Sequence, residues 1–365
     1  MGKIKIMAFY LPQFHTIPEN DEWWGKGFTE WVNVRKARPL FKGHNQPRVP
    51  LNENYYDLSK VETLRWQADL ANTYGVYGLC FYHYWFAGGK KLLEKPAEML
   101  LENKDIRLRF CFSWANEPWA RTWDGKAHHV LMAQDYGMED DWKKHFYYLL
   151  PFFKDDRYVK EDGCPMFLIY KPHSIPHAKE MMEMWNGMAI KEGFNGIHFV
   201  ETLRGTNRDN RNLPFKAYVE FEPALTNYSH SFLTLNYNRI RRRLLKAINK
   251  VFGSNIMLNR PYQFEEVMRR SLKHKSPQGT YGGVCVGWDN TARRGNASVV
   301  VLPSTKNQFK KALKDKIIKT EREYNADYVF INAWNEWCEG TYLEPDEVHK
   351  YDYLEAICEL HKEGY

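Results

Sequence analysis

The fold class this sequence predicts is α/β, a (β/α)8 barrel with long loops over the carboxyl-terminal face of its sheet. Three observations predict it. Eight short apolar runs recur along the 365 residues. Stretches with helical spacing of apolar residues separate most of them. Each run ends in polar or aromatic residues. Apolar runs without alternation mark strands buried on both faces, and helices between them mark parallel pairing by crossover. Eight such units make a barrel, with 1–365 expected to form a single domain.

The first strand is expected over Ile4 to Tyr10 and the second over Gly75 to Trp85. The third runs from Leu108 to Asn116, the fourth from Met166 to Lys171 and the fifth from Ile197 to Thr202. The sixth covers Ala217 to Glu222, the seventh Gly283 to Asn290 and the eighth Tyr328 to Trp337. Helical patterns lie at Lys60–Tyr74, Lys90–Asn103, Glu139–Phe153, Ala178–Lys191, Asn307–Tyr324 and Tyr353–His361. No helix shows after strand five, where Arg204 to Phe215 is polar. Two connections are long, Leu11 to Asp57 and Pro223 to Gly282. Both follow strands on the carboxyl side, where barrels of this type place their active sites, and long loops often bind or cover ligands.

Composition narrows the function classes. Aromatic residues make up 16% of the chain, more than a core needs. A bulky core accounts for any single Trp, but Trp23-Trp24, His83-Tyr84-Trp85 and Trp119 with Trp123 suit the stacking of sugar rings. The net charge of +7 is mild for the length, and no zinc-finger, RNP or helix-turn-helix pattern points to nucleic acid. The one basic run, Arg239 to Lys250, has apolar residues at helical spacing. It reads as a solvated helix face or as a weak dock on an anionic membrane surface. The six cysteines form no CxxC and no spacing that suggests a zinc site, and no metal or other cofactor is expected. Reduced thiols, and an N-terminus that enters a strand without a long apolar region, fit a cytoplasmic protein. A leader removed from this sequence stays an open alternative.

The polar residues gather at one end of the expected barrel. Strand one ends at Tyr10, followed by Gln13 and His15. Trp24 lies in the loop beyond. Strand two ends in His83, Tyr84 and Trp85; strand three in Asn116, Glu117, Trp119 and Arg121; strand four in Lys171. Glu201 comes from strand five, and Glu220 and Glu222 from strand six. Strand seven supplies Trp288, Asp289 and Asn290, with Arg294 just after. Strand eight supplies Asn335, Glu336, Trp337 and Glu339. Any one of these carboxylates could be a satisfied structural group. Several together are costly to desolvate unless used, so a carbohydrate-sized polar cleft is expected. Cleaving a glycosidic bond takes two carboxyl groups, one to protonate the leaving oxygen and one to act as nucleophile or base. Glu336-x-x-Glu339 at a strand-to-loop junction can supply both.

The segments AFYLPQFHTIPENDEWWGKGFTEW, YGLCFYHYWF, FSWANEPWARTWDG, GWDNTARR and INAWNEWCEGTYLEPD resemble the WbsX-like proteins. That branch is related to glycoside hydrolase family 99, the endo-α-mannosidases and endo-α-mannanases. The resemblance covers nearly the whole chain. It implies a (β/α)8 fold and retaining hydrolysis of an α-linked glycan, with no metal in the chemical step. Members of the branch are associated with bacterial surface-polysaccharide synthesis, as in O-antigen, and have been labelled glycosyltransferases. The mannosidases carry Glu-Trp-His-Glu-Gly-Thr where this chain has Glu336-Trp337-Cys338-Glu339-Gly340-Thr341. By resemblance, Glu339 is the general acid/base at the glycosidic oxygen. Glu336 is the base that takes the proton of the sugar's own 2-hydroxyl, giving a 1,2-anhydro intermediate. Cys338 in place of His implies a lost substrate hydrogen bond, and with it an altered sugar preference.

Other readings stay open. Asn116-Glu117-Pro118 looks like the acid/base signature of another glycosidase clan, with Glu336 as its partner, although that signature belongs after strand four. A nucleotide-sugar transferase would need a glycine-rich turn or an acidic metal motif, and no GxGxxG occurs. A lectin-like barrel would bind glycans without turning them over.

Overall fold

The computed structural model of the protein describes residues 4–120, 130–205, 209, 211–227 and 232–365. Eight parallel strands close on themselves. They are β1 (Lys5–Tyr10), β2 (Gly78–Trp85), β3 (Phe110–Trp114), β4 (Cys164–Ile169), β5 (His198–Leu203), β6 (Ala217–Glu220), β7 (Thr280–Cys285) and β8 (Tyr328–Asn332). Each pairs with the next, and β1 closes the ring by pairing with β8 through Lys5↔Tyr328 and with β2 through Tyr10↔Phe81. This is the (β/α)8 barrel the sequence predicts. The strands are almost wholly buried because one face meets the barrel interior and the other the helices. Aromatic rings fill the interior: Phe9 of β1 packs on Phe221, Phe330 and Tyr82 with centroids 5.1, 5.4 and 5.9 Å away.

The helices, in chain order, are α1 (Pro18–Trp24), α2 (Glu30–Lys36), α3 (Val61–Tyr74), α4 (Lys95–Glu102), α5 (Glu139–Lys154) and α6 (Ala178–Lys191). Then follow α7 (Phe232–Phe252), α8 (Phe264–Ser271), α9 (Lys306–Tyr324) and α10 (Asp352–Lys362). Helix α9 starts at a reciprocal cap, in which Thr305 accepts from the Gln308 N–H and Gln308 accepts from the Thr305 N–H. Between Arg204 and Phe215 the described residues form no helix, as the polar sequence indicates. Among the described residues no helix is long and apolar enough to cross a membrane.

Three expected boundaries move furthest, each for a physical reason. The segment Lys90–Leu93 is not helix: Lys91–Leu92 pairs antiparallel with the end of β2, and Pro96 opens α4 in its first turn. Strand seven ends at Cys285 because Gly287 turns the chain at φ 157° against Pro303, and Trp288–Asp289 pairs instead with Val300–Val301. Strand eight ends at Asn332. Beyond it, Asn335–Glu336 and Thr341–Tyr342 form a small antiparallel hairpin with a 3-10 turn, Trp337–Glu339, at its tip.

Candidate active site

That hairpin carries both glutamates of the Glu-x-x-Glu motif. Its root is clamped to the exit of β1: Asn335 accepts from the Leu11 N–H at 2.7 Å and donates to the Leu11 carbonyl at 3.0 Å. Trp337 stacks on Tyr342 at 3.8 Å and donates its indole N–H to Glu344 at 2.7 Å. Thr341 donates to the Asn332 carbonyl. With the hairpin anchored this way, residues 336 and 339 project from one side of a single tight turn into the space above the barrel.

There they meet a third carboxyl and one cation. The guanidinium of Arg293, in the short helical turn Thr291–Arg294 after β7, lies 2.7 Å from Glu339, 3.2 Å from Glu30 and 3.6 Å from Glu336. Glu30 comes from α2 and is buried. One positive charge does not balance three carboxylates, so the group holds on to a proton. Burial, the neighbouring charge of Glu339 and that of Glu30 push the Glu336 carboxyl up to about 8, against the pull of Arg293. Burial and Glu30 also raise Glu339, opposed by Arg293. Raising one carboxyl of a close pair while the other stays ionised is how an acid and a base coexist near neutral pH.

Glu336 and Glu339 open onto a cleft of about 1010 Å³ at the carboxyl ends of the strands. Of the residues expected at a sugar site, Trp24, Tyr84, Glu117, Trp119, Trp288, Asn290 and Arg294 also form its wall. Trp119 packs edge-on against Tyr84 at 5.3 Å and Trp23 at 5.7 Å, which fixes an aromatic corner in the wall. Lys171 reaches the wall indirectly, by pairing with Glu117, which also faces Arg204 at 3.5 Å.

The remaining expected residues lie outside the wall, most of them held by a structural partner. Tyr10 points into the core, where its hydroxyl donates to Gln67 at 2.8 Å. His15 is buried, and burial lowers it to about 4. His83 bonds His145 at 2.7 Å, and Trp85 stacks on the same His145 at 4.4 Å, so both face α5. Asn116 brackets the Lys171 backbone, bonding its N–H and its carbonyl at 2.8 Å each. Glu201 is buried and accepts from the Asp209 N–H. Glu222 accepts from Ser271 at 2.6 Å and Thr226 at 2.9 Å. Asp289 gathers His44 at 2.8 Å, Gln46 at 2.6 Å and the Thr291 N–H at 3.0 Å. Against its burial, His44 and Arg48 hold that carboxyl well below the usual range. Asn335 and Trp337 are the hairpin anchors already described. Arg121 and Trp123 lie outside the described residues. Cys338 is fully buried, and its thiol donates to the Glu30 carbonyl at 3.3 Å, so the side chain at that position faces α2 rather than a sugar.

Several residues at the site lie outside the expected set. Arg293 lay inside the quoted GWDNTARR, but nothing local separates it from Arg294. Glu30 sits in GFTEW, far from the motif in sequence. Tyr82 and Tyr170 alternate with core residues at strand ends, which is a readable signal once the pleat is known. The largest omission is α7: Arg239, Arg242, Arg243 and Lys246 of the basic run form one side of the cleft.

Residues 6–357 match the family model described as "Glycosyltransferase WbsX". Two curated proteins, both described as "Uncharacterized protein WxcX" and from two strains of Xanthomonas campestris pv. campestris, are 38% identical over 96% of the chain. The match covers 48% of their length, so the chain spans about half the length of the curated relatives it matches. Among solved structures, the GH99 endo-α-mannosidase of Bacteroides thetaiotaomicron in complex with Bis-Tris-propane aligns over 98% of this chain and 96% of its own. The TM-score is 0.57 at 14% identity. A "Glycoside hydrolase-like protein" aligns over 98% and 94%, with TM-score 0.58 at 12% identity. At these identities the likeness establishes the barrel fold.

Proposed function

Because the chain belongs to the WbsX family, we propose that it is a glycan-processing enzyme, and in finer terms a retaining, endo-acting glycoside hydrolase for an α-linked glycan. The observation that carries this reading is the carboxyl pair Glu336 and Glu339, set on one turn at the floor of an aromatic-lined cleft and sharing Arg293 with Glu30. A glycosidic bond laid over the pair breaks in two steps. Glu336 accepts the proton of the 2-hydroxyl, and that oxygen attacks the anomeric carbon. The bond to the leaving oxygen breaks as Glu339 gives it a proton. Water then opens the 1,2-anhydro sugar, losing a proton to Glu339 while Glu336 returns its proton to the 2-oxygen. Both groups finish as they began. Trp24, Tyr84, Trp119 and Trp288 are proposed to stack the sugar rings on either side, with Glu117, Asn290 and Arg294 as polar contacts.

The test is incubation with bacterial surface polysaccharides and α-mannosides, scored by new reducing ends. Glu336→Gln and Glu339→Gln should each lose roughly 10²–10⁴-fold in rate, the usual contribution of general acid/base groups. Turnover at the wild-type rate in the Glu339→Gln protein, with loss in Glu117→Gln, would move the acid role to Glu117. The charge balance admits one variation. Burial raises both carboxyls and Arg293 lies nearest Glu339, so a reading with the two roles exchanged, Glu336 as acid and Glu339 as base, also fits the free site. Aryl glycosides with acidic leaving groups separate the assignments, since they restore turnover when the acid is missing and not when the base is missing.

The transferase in the family's name fits the same chemistry if a sugar hydroxyl, rather than water, opens the intermediate. Products of higher mass from a single glycan donor would identify that course. A selective thermal shift with a nucleotide sugar would instead support a nucleotide-dependent transferase. Glycan binding with no turnover on any substrate, unaffected by Glu336→Gln, would identify a lectin-like barrel.

A weak membrane contact through Arg239 to Lys250 is part of the proposal. Its support is the outer face of α7, where Ile240, Leu244, Val251 and Phe252 are 60, 60, 73 and 77% exposed. Sedimentation with anionic vesicles that is lost in Val251→Ser/Phe252→Ser is the expected result. Equal sedimentation of both proteins would refute the contact.

A further inference from the structure

We propose that the glycan taken by this cleft carries anionic substituents, carboxylate or phosphate, and that the cleft-facing side of α7 is the subsite that recognises them. The inference rests on the glycan reading above and names the class of glycan.

Helix α7 sorts its residues into three faces. Arg239, Arg242, Arg243 and Lys246 follow i, i+3, i+4, i+7 spacing and line the cleft. Arg241 and Asn249 fasten the helix to the body. Arg241 donates to the Leu258 carbonyl, and Asn249 bonds the Ile256 carbonyl and N–H at 2.8 and 2.9 Å. The Leu258 N–H in turn donates to the Asn296 carbonyl at 2.8 Å, which ties the segment to the loop beyond Arg293 and Arg294. The apolar face looks outward. The cationic side is therefore aimed at the cleft by the helix anchoring.

Like charges one turn apart destabilise a helix. Among the described residues no carboxylate comes within ion-pair distance of any of the four, and all four are exposed. Of the other cleft cations, Arg293 is engaged by Glu30, Glu336 and Glu339 and Arg204 by Glu117, while Arg294 adds a further exposed positive charge on the Glu339 side. A neutral sugar, offering hydroxyls that both donate and accept, gives no reason for four adjacent cations. A ligand with repeated negative charge does. Guanidinium forks match carboxylate and phosphate oxygens two at a time, so both substituents share this chemistry.

The test uses matched pairs of probes on the Glu339→Gln protein, which keeps the cleft but slows turnover. One pair is α-linked hexagalacturonate and its fully methyl-esterified form. The other is a phosphate-bearing α-mannan and the same mannan with its phosphates removed. Calorimetry should find the charged member of at least one pair bound about tenfold tighter, as expected of several exposed ion pairs acting together. The pair that responds identifies the anion. The difference should shrink with added salt. It should vanish in the Arg242→Gln/Arg243→Gln protein, whose melting temperature should equal or slightly exceed the parent's and whose neutral-probe affinity should match it. Equal binding of both members of both pairs, no binding of any probe, or a charge preference that survives the double substitution would overturn the inference. Turnover is scored separately with unsubstituted Glu339. Charge-dependent binding without cleavage of any probe counts against the hydrolase reading alone. Cleavage of neutral probes that outpaces the charged ones, unchanged by the double substitution, counts against the anionic subsite alone.

Discussion

Around Arg293 three carboxyl groups compete for one cation, and the strain of that competition falls mainly on Glu336. A carboxyl whose pKa rises on folding favours the folded chain at low pH and weakens it as pH climbs through the folded value. For Glu336 that window runs from its ordinary 4.5 to about 8. Below it the contribution is complete, and above it the folded protein must ionise a buried group. Glu336→Gln should therefore stabilise the protein at about pH 9, on the order of 2 kcal/mol, and change little at about pH 4.5. Thermal denaturation at the two pH values checks this, and equal shifts at both would mean that Glu336 titrates as an ordinary carboxyl. The glutamates themselves were legible, since they end an apolar strand and sit in a recognisable motif. Their neighbours were not. Trp337 lies between them in sequence yet turns into the core to meet Tyr342, and Arg293 rather than Arg294 takes the ion pairs. Which side of a tight turn a residue faces depends on backbone angles that no residue pattern within the turn reports.

The hairpin Asn335–Tyr342 is the element that turns two glutamates into a pair. Its tip needs Gly340, which has φ +58° and leaves no room for a side chain. A Cβ there would stand 2.8 Å from the Asp289 Cβ and 3.0 Å from the Arg48 guanidinium. Gly340→Ala should destabilise the protein by about 1–3 kcal/mol, combining the backbone penalty with the clash. It should also lower turnover on any glycan substrate, because Glu339 precedes the displaced residue. Urea unfolding and a rate measurement test the two parts, and a fully active, fully stable variant would show that the turn tolerates the displacement. Sequence reading extended strands seven and eight across their exits, since Trp288–Asp289 and Asn335–Trp337 carry strand-like residues. The turns at Gly287 and after Asn332 take those residues off the barrel and stand them over its mouth.

At the scale of the whole molecule, barrel and helical layer are joined by charge as well as by apolar packing. Lys316 of α9 reaches Glu220 of β6 at 2.6 Å, with both side chains at most 1% exposed. Tyr324 and Ser276 each add a hydrogen bond to the same carboxylate at 2.8 Å. Burial alone would raise Glu220, but the charge and hydrogen bond of Lys316 hold it below its ordinary value. Lys316→Met should cost about 3–5 kcal/mol by stranding a buried charge, and adding Glu220→Gln should recover much of it. Denaturant melts of the single and double variants decide the matter, and a Lys316→Met protein as stable as the parent would rule the pair out as a structural link. In the sequence Lys316 is one of several lysines in KALKDKIIK and looks solvated. The barrel was legible because near-continuous apolar strands repeat eight times, whereas long-range pairs such as this one have no local signature.

The closure of β1 onto β8 also bears on how the protein is made. Strand β2 follows β1 closely in the chain and the two can pair at once, but the other edge of β1 has no partner until Tyr328 has been translated. Until then that apolar edge is a template for unwanted strand addition. The hairpin that completes the cleft emerges immediately after the strand that seals the ring. A chain cut short of that point contains the cleft's cations and tryptophans but neither glutamate of the pair.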